Sequence, residues 1–553
     1  MYGTLLSVVV VAALALGVTF VHELPEATAR HSPAEDHPAN RVPPELFKTA
    51  DACISCHNGL ITPSGEDISF GAEWRASMMA NSARDPYWQA GVRREVLDHP
   101  QAQAVIEDEC SICHMPMARF QAKAGGRKGE IFAHLPVGQA NTPTARLAAD
   151  GVSCTVCHQI TEEKLGTRES FIGGFVVDTV TVLGQRAVFG PYAVDTGRKT
   201  VMHSASGFRQ VASAHIQRSE LCATCHTLYT EALGPEGEVI GELPEQVPYL
   251  EWSHSAYREE RSCQSCHMPV VEDSTAIAAV LGQPRAGVSR HSFRGGNFFM
   301  LRMLNRYRGQ LGVAALPPEL DAAVSRTLDH LQANTARVSV EGAQVVGNHL
   351  RTEVSIENLA GHKLPTAYPS RRAWIHFTVR DRNGQLLFES GSLEPSGLIV
   401  GNDNDTDPAR YEPHYTEITR SDQVQLYEAI MADPQGGVTT GLLTAVRFVK
   451  DNRLLPRGFA KATAAEDIAV QGGAAEDADF LDGGDRVQYA LDVTGAHGPF
   501  RVQAELWYQP IAYRWAQNLR PYDAPETNRF LEFYDSMSEV SGVILATGVA
   551  VAQ

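Results

Sequence analysis

The sequence predicts a multidomain protein: an irregular, mostly α-helical part over residues 43–305, a helical connector over 306–335 and an all-β, sandwich-like part over 337–553. Three observations predict it. All ten cysteines fall in the first part, in five copies of Cys-x-x-Cys-His. That part is rich in Gly, Pro and Arg and has only short apolar stretches. From Arg337 onward the apolar residues change from helical spacing to alternation.

Ahead of the first part, Leu5 to Val21 is apolar and is followed by Pro25 and Ala27-Thr28-Ala29. This reads as a secretory signal over residues 1–29, cleaved after Ala29. No Lys or Arg precedes the run, so retention as a membrane anchor stays open. A spanning helix needs about 20 apolar residues, and this run is shorter.

The five motifs are Cys53-x-x-Cys56-His57, Cys110-x-x-Cys113-His114, Cys154-x-x-Cys157-His158, Cys222-x-x-Cys225-His226 and Cys263-x-x-Cys266-His267. This spacing attaches c-type haem. Two thiols reach the two porphyrin vinyl groups, and the adjacent His sits under the iron as proximal ligand. Zinc sites take two Cys pairs, and five pairs do not divide evenly. A thioredoxin-like disulfide does not call for His after the second Cys. The sequence therefore predicts five covalent haem c groups and a chemistry of electron movement. Roughly fifty residues per motif cannot build an ordinary apolar core, so the porphyrins themselves are expected to form it. Haem c attachment also favours export, to the periplasm or beyond.

In the connector, Leu320, Val324, Leu328 and Leu331 recur at helical spacing after Pro317-Pro318. Strand-like runs follow at Val338–Val340, Val345–Val346, Leu350–Ile356, Ala373–Val379, Gln385–Phe388, Val487–Val493, Phe500–Tyr508 and Val540–Ala550. Asn383-Gly384 between two runs predicts a hairpin. The net charge of −18 argues against nucleic acid and anionic lipid as partners. It suits redox partner proteins with basic surfaces, met by electrostatic steering.

The haem part resembles the multihaem cytochromes c related to the tetrahaem cytochromes of ammonia oxidation, octahaem hydroxylamine oxidoreductase and pentahaem nitrite reductase. The resemblance rests on Ser219-Glu-Leu-Cys222-Ala-Thr-Cys225-His226, Cys263-Gln-Ser-Cys266-His267-Met268-Pro269 and His291-Ser-Phe-Arg-Gly-Gly296-Asn297. Gly361-His362-Lys-Leu-Pro365-Thr366 resembles a β domain found behind such haem domains. Two departures matter. Those nitrite reductases have one Cys-x-x-Cys-Lys motif, which this chain lacks. Hydroxylamine oxidoreductase needs eight haems.

Each iron has a sixth position, and its occupant separates an electron carrier from an open catalytic centre. The distal candidates are His215 and His254, which shortly precede motifs, His291, which precedes a Gly-Gly turn, and His134 and His203. The resemblance adds His362, from the β part. It also adds Met79, at the His position of the family's Trp-x-x-Ser-x-His after Trp74. Asp403, Asp405 and Asp407 alternate like the opening of a calcium loop. Arg93-Arg94 and Arg371-Arg372 are candidates for pairing with haem propionates. The expected function is electron transfer in a periplasmic or extracellular respiratory chain, by a carrier more than a catalyst. Two alternatives stay open. One is a multihaem oxidoreductase of small nitrogen or sulfur compounds with one open haem. The other is a subunit of a cytochrome filament or outer-membrane conduit.

Overall fold

The computed structural model describes residues 45–553. The expected signal or anchor over residues 1–29 lies outside them. Among the described residues no helix is long and apolar enough to cross a membrane.

The first part is built of short helices, and their starts are written in the chain. Pro86, Pro116, Pro143 and Pro248 each open a helix, at Pro86–Asp98, Pro116–Ala124, Pro143–Ala149 and Pro248–Ser253. Proline suits a first-turn position because its missing N–H would be unpaired there anyway. Asp85 caps the first of these by accepting from the N–H groups of Tyr87 and Trp88. The motifs sit in single turns such as Asp51–Ile54, Cys154–Cys157 and Cys263–His267, or at the end of Gln103–His114.

The connector differs from the expected continuous helix over 306–335. Gly312 takes a left-handed φ of 63° and ends one short helix, Arg308–Leu311. The long helix Pro317–Asn334 starts afresh beyond it. Before it, Phe298–Arg306 is a helix whose Phe298, Phe299, Met300, Leu301, Met303 and Leu304 are all buried. Its apolar residues are nearly continuous, so no helical spacing marks it in the sequence.

The β part contains two principal sheets. In one, Arg372–Arg380 lies between Leu386–Ser390 and Phe500–Gln509, and Phe500–Gln509 also pairs with Val543–Ala552. In the other, His349–Asn358 lies between Ala336–Val346 and Gly484–Asp492. Their inner faces meet where Phe377 stacks on Tyr489 with ring centres 3.7 Å apart. The expected hairpin forms, but Gly384 alone takes positive φ, 80°, and a bulge follows at Leu386–Phe388. Residues 391–483 make a long excursion with brief strands such as Leu426–Tyr427 and Arg447–Asp451.

The β part does not stand apart. The described residues form one compact unit. A single apolar core runs from Ala76 and Tyr229 through Phe298 and Leu320 to Val502 and Phe533. Charge also crosses the junction. Lys363 is fully buried and bonds Asp451 at 2.7 Å. Asp451 bonds Arg453 at 2.7 Å, and Arg453 pairs with Glu251 of Pro248–Ser253 at 3.0 Å. Glu251 in turn accepts from the Lys363 N–H and the Thr366 hydroxyl.

Elsewhere His376 lies 3.1 Å from Glu505 and 3.0 Å from Glu389. Burial pulls this imidazole down, but the two carboxylates outweigh it and raise its pKa above the ordinary value. The pair therefore stabilises the fold below the unfolded-state pKa, and the contribution is lost as pH rises through the raised folded value. His376→Gln should cost about 1 kcal/mol at pH 5 and less at pH 8, read by urea unfolding. An equal cost at both pH values would refute the assignment.

Candidate cofactor-binding site

A cavity of about 1510 Å³ runs through the first part and reaches the β part. Small-ligand pockets occupy about 300–1,000 Å³, so this volume suits something larger. Every motif cysteine except Cys56 lines it, and so do all five motif histidines. Apolar residues such as Ile112, Val188, Phe208 and Leu221 complete the wall.

Four of the five motif histidines are oriented by backbone carbonyls. The Nδ1–H groups of His57, His114 and His158 donate to the carbonyls of Ile277 (2.6 Å), Ser82 (2.9 Å) and Phe189 (2.6 Å). His267 donates in the same way to Arg294. A bond at Nδ1 fixes the tautomer and leaves the Nε2 lone pair for a metal. Burial keeps these rings neutral, with His114 and His267 pulled down to about 4. Burial likewise lowers His57, His158 and His226.

The thiols interleave. Cys53 meets Cys154, Cys113 meets Cys225 and Cys222 meets Cys263. Cys157 lies close to both Cys222 and Cys225. Motifs adjacent in sequence are thus not always neighbours in space. The first adjoins the third, and the fourth adjoins the second, third and fifth.

Two imidazoles on opposite sides of one iron, each bonded at about 2 Å, put their ring centres roughly 6 Å apart. His158 and His291 have ring centres 6.4 Å apart, and His267 and His362 have theirs 6.2 Å apart. The Nδ1–H of His362 donates to the Lys363 carbonyl at 2.9 Å, leaving Nε2 free as in the motif histidines. Met79 also lines the cavity.

The other distal candidates lie elsewhere. His215 is buried with both nitrogens used, Nδ1 by the Ser213 hydroxyl (2.7 Å) and Nε2 by the Ile160 carbonyl (2.8 Å). His203 donates to the Gly184 carbonyl at 2.5 Å, and His254 to the Ala460 carbonyl at 3.2 Å. His134 faces a separate small pocket beside Met115 and Arg119. None of these four is on the wall of the large cavity. His330, which the sequence reading passed over, is on it, 6.2 Å from His267. Its signal was faint: Ala323, Thr327 and His330 share one face of Pro317–Asn334.

The calcium reading does not fit the structure. Both Asp405 carboxylate oxygens bond Arg372, at 2.7 and 2.9 Å, and Asp403 pairs with Arg410. Those pairs satisfy the charge a cation would neutralise. Arg372 is thereby spent, as are Arg93 on Glu526 (2.8 Å) and Arg94 on Thr440 (2.7 Å). Of the four arginines proposed for propionates, only Arg371 reaches the cavity. His414, Asp477 and Asp485 come together, but His414 Nδ1 accepts from Gln425 and Asn452. Nε2 therefore carries the proton and donates to Asp477 at 3.0 Å, a bond that needs no metal.

No family profile and no curated protein matches the chain. Among solved structures, the crystal structure of a penta-heme cytochrome c552 from Thermochromatium tepidum is similar. The TM-score is 0.50 and the identity 15%, over 92% of this chain and 100% of that one. The chain therefore shares the fold of a multihaem cytochrome c.

Proposed function

We propose that the chain is a c-type cytochrome that carries five covalent haems and transfers electrons between partner proteins outside the cytoplasm. The convergence of five Cys-x-x-Cys-His turns on one apolar cavity carries the reading. The cysteine pairs hold the porphyrins through thioether bonds, and the motif histidines hold the irons. When bound, haem supplies a reversible one-electron centre whose potential follows its axial ligands and burial. His291 and His362 serve as distal ligands opposite His158 and His267. The interleaved thiols bring neighbouring groups close, so charge can pass between them. The partners are redox proteins, and the charge of −18 favours those with basic faces.

The first two motifs support a second reading. The ring that parallels His57 at 6.1 Å is Phe70, not an imidazole. His114 likewise parallels Trp88, so the haems of the first two motifs are the places for an open iron and a reductase or oxidase activity. Electron paramagnetic resonance of the oxidised protein separates the two. Low-spin signals alone support the carrier, whereas a high-spin iron that shifts with nitrite, hydroxylamine or cyanide supports the enzyme.

His362→Ala, made together with His330→Ala so that the nearby ring cannot substitute, should convert one low-spin iron to high-spin. An unchanged spectrum would remove His362 from the ligand set.

A further inference from the structure

We propose that Arg294 and Arg326 form a receptor for a haem propionate, a carboxylate that no described side chain supplies at that place. The inference rests on the haem reading above.

Arg294 is tied to the fifth motif by its backbone. Its N–H donates to the His267 carbonyl at 3.0 Å, and its own carbonyl accepts from the His267 ring. Its side chain is on the cavity wall. Arg326 is not itself on that wall; it comes from Pro317–Asn334, next to Thr327 and one turn from Ala323 and His330, which are on it, and it lies near enough to Arg294 to act on its charge.

The local charge is unbalanced. Nearby Arg290 is matched, bonding Glu73 at 2.7 Å and pairing with Glu66. The second Glu73 oxygen accepts from the His291 N–H at 2.8 Å. Among the described residues no carboxylate pairs with Arg294 or Arg326, and the Nε of each is buried without a hydrogen-bond partner. Burial is the main cause that lowers both guanidinium pKa values; Glu73 opposes it at both, and neighbouring arginines add to it. A buried guanidinium N–H without an acceptor costs free energy, and a planar fork of donors matches a carboxylate in a bidentate way. A propionate from a porphyrin beside His267 or His291 supplies that acceptor. Small free oxyanions share the chemistry, so the test distinguishes them.

Arg294→Gln, Arg294→Lys and Arg326→Gln are compared with the parent by spectroelectrochemical titration of the haem-loaded protein from pH 5 to 9. Loss of a cation beside a porphyrin favours the oxidised iron. One midpoint potential should therefore fall in both Gln variants while the others hold. The pH dependence of that midpoint should move to higher pH, because the propionate loses the charge that kept it ionised. Arg294→Lys should restore most of the parent value. Unchanged potentials in both Gln variants, with the full haem complement verified by mass, would overturn the proposal. So would a shift of that same potential in the parent on adding phosphate, which would give the site to a free anion. If Arg294→Gln loses haem, Arg294→Lys and Arg326→Gln decide by the same criteria. Absence of haem from the parent protein would instead refute the function proposed above.

Discussion

On the proposed function, replacing Cys222 and Cys225 together with serine should remove one haem and divide the remaining four. The thiols explain why this motif matters most. Cys222 lies against Cys263, Cys225 lies against Cys113, and Cys157 is close to both. The fourth motif is thus the junction through which the second, third and fifth communicate. Its loss should lower the mass by one haem and leave part of the remaining haem slow to reduce when electrons enter from one partner. Replacing Cys53 and Cys56 provides the contrast. That motif touches only the third, through Cys53 and Cys154, so the mass should fall equally while the others stay connected. Similar reduction kinetics in the two double variants would show that the fourth motif is no junction.

Arg453→Ala should cost about 3–5 kcal/mol, among the largest effects of any single change outside the motifs. Arg453 bridges Asp451 and Glu251, and all three side chains are at most 7% exposed. Removing the cation leaves two buried carboxylates with Lys363 as the only remaining buried cation of the group. Glu251 also bonds the Lys363 N–H and the Thr366 hydroxyl, both just after His362 in the loop that presents it. Arg453→Ala should therefore disturb one haem spectrum as well as stability, measured by urea unfolding and visible absorption. Removing the exposed pair of Arg337 and Glu357 should cost at most about 1 kcal/mol. A comparable cost for both would mean that the buried network does not hold the junction.

Much of this architecture is legible in local sequence. Attachment motifs are short covalent rules, and strands such as Arg372–Arg380 and Phe500–Gln509 form where alternation marks them. What escapes is set by distant contacts. Leu426–Tyr427 is a strand only because it lies beside Arg372–Arg380, and nothing within two residues announces that. The distal ligands show the same limit. His215 and His254 sit a few residues before motifs, yet nearness in the chain does not aim a ring at an iron, and backbone carbonyls take both. His362 lies far along the chain and faces His267. His330 and Arg326 needed the helix face and the cavity to be seen together.

The central claim is that every Cys-x-x-Cys-His turn holds an iron porphyrin. Intact mass of the purified protein, taken with its visible spectrum after dithionite reduction, tests it most directly. The account predicts a mass above the polypeptide by five haems and a sharp α-band that survives acid-acetone extraction. A mass equal to the bare polypeptide, or an α-band lost on extraction, would contradict it.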